Sequence, residues 1–477
     1  MKRIISGAIL LGLLCQLASC GDSDNVNESD GSEITSAETT PTETTVDYTL
    51  PEAKDYGGRS FTILAADGRT ELYEAEQDGE TVNDAVWQRE IETEDYLGIK
   101  LEYVYKASSW GDKATYMGAI NSSILAGDDT YDIVTGPVIF FCDSMAEGYY
   151  ENINDMDIDL TNPWWVDGIQ SDIGINGKLY LLAGDFATTL YSTINVVYYN
   201  QTLADELKLD NLYDAVRDGS WTFEKLTEMM KGSEADLNGD GLLDYDDDRF
   251  ALLTHGNPLR SVQTACGIDI FSKQGDIIEY NGLDERLVTI CELLGETIKS
   301  GETMIHDGEY EENAAVFGDD RALFMLSALR ITSALRDMTS DYGILPYPKF
   351  DAADEYRMDV PLSAVLWAVP ITASDKQLVA DFCEYFSYRS YELVVPAYYE
   401  STLKEKYSRD PDTVEMLDLI RQSTRFTCDT AFGYCFSVNP FLATETILRN
   451  DDNPASYIAK NENAWTSTLE SLLASYQ

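Results

Sequence analysis

The chain has 477 residues and a formal net charge of −52, with 85 Asp and Glu against 33 Lys and Arg. So acidic a surface excludes nucleic acid as a partner, because phosphates need Lys and Arg neighbours, and it excludes adhesion to anionic lipid by charge. The stretch from about Pro51 to Gln477 is long enough for two lobes of ordinary domain size, and 44% apolar composition provides for their cores.

The first residues read as an export signal. Lys2 and Arg3 open it, Ile4 to Leu14 form an apolar run, and Leu17-Ala18-Ser19-Cys20 closes it. The run falls short of the roughly 20 apolar residues a membrane-spanning helix needs. Leu-Ala-Ser-Cys resembles the bacterial lipobox. That resemblance implies removal of residues 1–19, acylation of Cys20, and a protein held on the outer face of the cell membrane. Residues 20–50 read as a tether rich in Ser, Thr, Asp and Glu, too polar to offset its own chain entropy. As a flexible coil it would span roughly 30 Å.

Beyond the tether, strand-like and helical patterns alternate. Ser60 to Ala65 and Ile99 to Tyr105 read as strands, the second with clear period-two alternation, and Val82 and Val86 share a helix face between them. Met117, Ile120 and Ile124 repeat at helical spacing up to a stop at Gly127, and Tyr131 to Thr135 reads as a third strand ended by Gly136-Pro137. This order predicts an α/β fold with a mainly parallel sheet. Gly177 to Leu182 and Ile194 to Tyr199 read as further strands. Thr222 reads as a helix N-cap before Phe223 and Leu226. Leu287, Ile290, Leu294 and Ile298 mark another helix, and Ser374 with Gln377 reads as a capping box before Leu378 and Phe382.

One stretch has metal-ligand spacing. Asp236-Leu237-Asn238-Gly239-Asp240-Gly241 matches the start of the EF-hand loop, D-x-[DN]-x-[DN]-G. Calcium takes six to eight oxygens. Asp236, Asn238, Asp240, the Leu242 carbonyl, Asp244 and Asp247 stand at positions 1, 3, 5, 7, 9 and 12, with Gly241 at the sharp turn. The Asp at the twelfth position, in place of Glu, resembles the dockerin version. A lone loop of this kind is expected to hold a structural Ca2+. An acidic turn without metal is the alternative.

Catalytic signatures are missing. His255 and His306 stand outside any metal-ligand spacing, and with 85 acidic residues no carboxylate pair stands out. The doublets Tyr149-Tyr150, Trp164-Trp165 and Tyr398-Tyr399 suit either sugar stacking or core packing. Of eight cysteines, Cys15 goes with the signal and Cys20 is acylated. Cys142, Cys266, Cys291, Cys383, Cys428 and Cys435 are compatible with disulfides or with buried thiols, and only Cys428 and Cys435 lie close in sequence.

Several segments, taken in order, resemble the family 1 extracellular solute-binding proteins of ABC importers, which are largely carbohydrate receptors. They are Asn176-Gly177-Lys178-Leu179-Tyr180, Val197-Tyr198-Tyr199-Asn200, Ser220-Trp221-Thr222-Phe223-Glu224, Val316 to Phe324, Tyr342 to Pro348 and Asp375 to Phe386. The resemblance covers nearly all of the chain from Tyr56. It implies a two-lobed periplasmic-binding-protein-like fold of type II, with a ligand cleft between lobes joined at a hinge near Ala187 to Tyr191. It assigns 51–188 with 322–360 to the N-terminal lobe and 189–321 with 361–477 to the C-terminal lobe. Tyr191, Gly136, Arg330 and Ser363 are expected at the cleft, with Trp164 and Trp165 as its stacking face. Arg330 would fork onto hydroxyls or a carboxylate, unless it sits in a surface salt bridge. The family often has a tryptophan where Leu329 and Arg330 stand. The expected protein is a monomer that captures a small solute, a sugar above all, delivers it to ABC importer permease subunits and catalyses nothing. An exported carbohydrate-active enzyme and a calcium-stabilised surface adhesin remain the alternatives.

Overall fold

β1 (Arg59–Ala66), β2 (Ile99–Lys106) and β3 (Ile133–Pro137) form where the sequence predicts strands, the second of them from its period-two pattern. The computed structural model describes residues 48–477 apart from 69–72, 74, 146, 405–410 and 477, so Cys20, the signal and nearly all of the tether lie outside the described residues. β1 buries Phe61, Ile63 and Leu64 completely and pairs in parallel with both β2 and β3. Parallel neighbours need a crossover, and helices supply both. Thr81–Leu97 starts where the Glu80 carboxylate accepts the Val82 and Asn83 amides. Lys113–Ala126 stops at Gly127, whose φ of 72° suits glycine.

β4 (Asn195–Asn200), β5 (Phe250–Thr254), the hairpin of β6 (Phe271–Gln274) and β7 (Ile277–Tyr280), β8 (Thr303–Ile305), β9 (Ala322–Ala328) and β10 (Tyr342–Leu345) follow. β11 (Met358–Asp359), β12 (Val365–Ala368) and β13 (Thr424–Arg425) come last. Two main sheets result. One has the order β12-β3-β1-β2, the other β10-β4-β9-β5-β8. In the first, only β12 runs antiparallel to its neighbour. In the second, β4 is antiparallel to β9 and β10, whereas β5 is parallel to β8 and β9.

These pairings reverse the expected exchange of segments between lobes. β9 and β10, inside 322–360, belong to the second sheet, and β12, inside 361–477, belongs to the first. Packing explains it. Trp367 of β12 is fully buried, stacks on Phe186 at 3.8 Å and tilts over Phe382, which itself stacks on Phe61 of β1 at 4.1 Å. Phe324 of β9 is fully buried and packs with Trp221, 6.1 Å between ring centroids, while the Trp221 indole donates to the Pro346 carbonyl at 2.9 Å.

Other expectations shift by smaller amounts. Gly177 to Leu182 is no strand: its β-pairing is limited to isolated bridges, Ile175 with Lys178 and Leu182 with Trp367. The segment Val316 to Phe324 begins in the helix Tyr310–Gly318 and turns at Asp320 before β9 starts. Thr222 caps its helix through the Lys225 amide as expected. The late helix, Lys376–Arg389, is capped by Asp375 instead of Ser374, because Ser374 is taken by the Arg59 guanidinium. Cys266, Cys291, Cys383 and Cys428 are free buried thiols, and Cys435 is disulfide-bonded, so Cys428 and Cys435 do not pair with each other.

Candidate functional site: a cleft between the two sheets

In open α/β sheets the ligand side is the carboxyl end of the parallel strands, where backbone ends and loops diverge. Both sheets turn that end towards one cleft of about 640 Å3. From the first sheet come Ala66 and Asp67 at the end of β1, Ser109 and Trp110 just beyond β2, and Pro137 at the end of β3. From the second come Asn257 and Arg260 beyond β5, Ala328 and Arg330 at the end of β9, and Asn195 at the start of antiparallel β4. Pro361 to Ser363, on the connection from β11 to β12, complete the wall.

Aromatic rings stand around this space. Trp110 is 61% exposed, the most open tryptophan face among the large exposed hydrophobics, and its ring centroid lies 5.6 Å from that of Tyr434 in a tilted arrangement. Two groups meet the Tyr310 ring: His255 stacks on it at 4.9 Å, and the Arg330 guanidinium lies 5.2 Å from its ring centroid. Burial raises the Tyr310 hydroxyl above its ordinary range, so it stays a neutral donor and acceptor.

The polar groups are positioned by their own partners. Arg260 donates through Nε to Glu445 at 2.6 Å and also reaches the Asn257 side-chain oxygen. Arg330 donates to Glu311 at 2.9 Å. The Asn195 amide donates to the Ser261 hydroxyl at 2.9 Å. Asp359 is only 6% exposed, and burial pushes its carboxyl up to about 6, offset in part by the Ser261 hydroxyl and by the charge of Arg260.

Of the residues expected at the ligand, Arg330 and Ser363 line the cleft. Gly136 does not; it lies inside β3, paired with Leu366, and its neighbour Pro137 faces the space instead. Tyr191 is buried beside a separate cavity of about 370 Å3, shared with Trp165, Asp185 and Arg421. Trp164 is fully buried. The reason is Glu384, a buried carboxylate that accepts from the Asp159 amide at 2.6 Å, from Asn162 at 3.2 Å and from the Trp164 indole at 2.9 Å. Trp165, 5% exposed, packs edge-on against Phe186. The doublet is therefore core, not a stacking face of the main cleft. The residues that sequence reasoning missed are Trp110, Tyr310, Tyr434, Arg260, Asn257 and Asp359. For Trp110 a signal existed: it follows the end of a predicted parallel strand, where ligand loops sit.

The loop at Asp236 to Asp247 is ordered around its own backbone. Asp236 accepts the Gly239 and Gly241 amides at 2.6 and 2.8 Å, Asn238 accepts the Asp240 amide at 2.8 Å, and Asp240 accepts the Leu242 amide at 2.8 Å. Asp244 accepts the amides of Asp246 and Asp247. Asp247 is exposed, and it is Asp248 that turns inward, holding the amides of Leu237 at 2.8 Å and Asp244 at 2.9 Å. Among the described residues no group of three or more His, Cys, Asp or Glu side chains is gathered for a metal. The donor chemistry, carboxylate and amide oxygens at alternate positions around two left-handed glycines, nonetheless fits a hard cation.

No family model matches the chain, and no curated protein does. Solved structures do. The galacto-N-biose/lacto-N-biose I-binding protein of an ABC transporter from Bifidobacterium longum, in complex with lacto-N-biose, superposes with a TM-score of 0.59 at 12% identity over 88% of this chain and 99% of that one. An ABC substrate-binding protein from Listeria monocytogenes in complex with cycloalternan gives 0.54 at 14% identity over 87% and 99%. A family 1 extracellular solute-binding protein from Bifidobacterium longum subsp. infantis gives 0.55 at 14% identity over 86% and 100%. The chain shares the two-lobed α/β fold of these solute-binding proteins.

Proposed function

We propose that this protein is a solute receptor for an ABC importer and that its ligand is a saccharide bound between the two sheets. The observation that carries the reading is the cleft itself: about 640 Å3, with Trp110, Tyr310 and Tyr434 among polar side chains already held by partners. A sugar has hydroxyls around its rim and weakly polar C–H faces, so its receptor needs aromatic faces and fixed donors and acceptors together. The structural neighbours that carry lacto-N-biose and cycloalternan support the choice of ligand class. Binding would draw the lobes together about the segment near 187–194, with ligand affinity selecting the closed state. The chain would work as a monomer, tethered through acylated Cys20 on the outer face of the membrane and presenting its cargo to the permease subunits. A thermal-shift screen against saccharides, amino acids and peptides tests this. A ligand at 100 times its dissociation constant adds about 2.7 kcal/mol of stability. It should be recovered chemically intact; a hydrolysed ligand would favour an exported carbohydrate-active enzyme, and stabilisation by peptides alone would end the saccharide reading.

The loop at 236–247 is proposed to hold one Ca2+ through Asp236, Asn238, Asp240, the Leu242 carbonyl, Asp244 and Asp247. There the ion would clip the segment between the helix Phe223–Met230 and β5.

A further inference from the structure

The charges around the cleft do not cancel evenly. Among the described residues two cations line it, Arg260 and Arg330, and each is engaged by a carboxylate, Glu445 at 2.6 Å and Glu311 at 2.9 Å; a third cation, Lys113, is outside the lining but lies 5.7 Å from the Trp110 ring centroid. Two further carboxylates line the same space, Asp67 and Asp359, and among the described residues neither has a cation within ion-pair distance. His255 behind Tyr310 adds nothing positive at neutral pH, since burial lowers its basicity. Arg260 is paired with Glu445 and reaches Asp359 only through its charge, so one cation faces two carboxylates. Among the described residues that line it, the cleft is an aromatic slot in which two carboxylates lack an ion-pair partner, one of them desolvated at Asp359.

A neutral sugar hydroxyl finds in Asp359 a strong acceptor, and an ammonium finds a counter-ion. A ligand carboxylate or sulfate meets like charge at short range, with the charge of each guanidinium already offset by Glu445 or Glu311, and a desolvated carboxylate is not screened as a surface one is. We propose that the cleft accepts uncharged or amine-bearing saccharides and rejects acidic ones, with Asp359 as the specificity-determining residue. The proposal deepens the saccharide reading and rests on it.

The test is binding of the full chain to a panel of β-1,4-linked gluco-oligosaccharides of one backbone, neutral (cello-oligosaccharides), amine-bearing (chitosan oligomers) and uronic (oligoglucuronates), measured by calorimetry at low and moderate salt. Neutral or amine-bearing members should bind, and uronic members should bind at least about tenfold more weakly than their neutral counterparts, the scale of one charge-assisted hydrogen bond. Asp359→Asn should narrow that gap, lowering amine affinity and raising uronate affinity. Glu445→Gln, which frees Arg260, should also raise uronate affinity, and it provides a second reading if Asp359→Asn folds poorly. A uronic member that binds as well as or better than its neutral counterpart overturns the proposal while leaving the saccharide reading intact. So does a gap that neither variant moves. Failure of every saccharide, whatever its charge, removes both.

Discussion

Trp110 and Trp164 are the same residue type in two neighbourhoods, and their fates differ completely. Trp164 sits against helix Lys376–Arg389, its indole satisfied by the buried Glu384, and has no exposed surface. Trp110 sits just past a strand end with 61% of its surface open and one edge near Tyr434. A ring becomes a ligand face when the elements beside it diverge, and a core plug when a helix closes over it. Ring chemistry alone does not choose between the two.

Substitutions should separate these roles. The largest effect is expected for Trp164→Ala, which leaves a large cavity and strips one donor from Glu384; stability should fall by about 3–5 kcal/mol in denaturant titration, with the affinity of the folded fraction little changed. Next is the carboxylate behind it. Burial moves the Glu384 carboxyl from 4.5 up to about 7 in the folded protein. The folded state thus holds this proton more tightly than the unfolded one, and its contribution to stability is lost as pH rises from about 4.5 to about 7. Glu384→Gln should flatten that part of the stability-versus-pH curve; an unchanged slope would assign the pH dependence to other buried acids such as Asp185. Trp110→Ala should show the opposite signature from Trp164→Ala, a loss of about 2 kcal/mol in ligand binding with little change in melting temperature. Smallest is Asp240→Ala, expected to abolish the stabilisation by millimolar Ca2+ while changing saccharide preference little; wild-type protein that melts identically in Ca2+ and in chelator would refute the ion outright.

Local patterns gave the reader β1, β2, the helix stop at Gly127 and the Thr222 cap, because each depends on residues within one or two turns of the chain. The fold type was legible as well, through short segments in a family's order. Which lobe received β9, β10 and β12 was not legible. That depends on pairing across the chain, such as Trp367 against Phe186 and Phe382, which leaves no periodic mark. The cleft was half legible for a similar reason. Arg330 and Ser363 follow from the order of segments, whereas Tyr310, Tyr434 and Asp359 come from three distant stretches that meet only after both sheets form. Tyr191 and Trp165, expected at the ligand cleft, fall instead beside the smaller cavity lined by Asp185 and Arg421.

That second cavity also defines the most direct measurement of the central claim, that the ligand sits in the larger cleft. Calorimetric titration of the saccharide found by screening should be run on the wild type, on Trp110→Ala and Tyr310→Ala in the cleft, and on Tyr191→Ala beside the smaller cavity. The expected result is a large loss of affinity in both cleft variants and near wild-type affinity in Tyr191→Ala. Unchanged affinity in Trp110→Ala and Tyr310→Ala, with the loss confined to Tyr191→Ala, would contradict it.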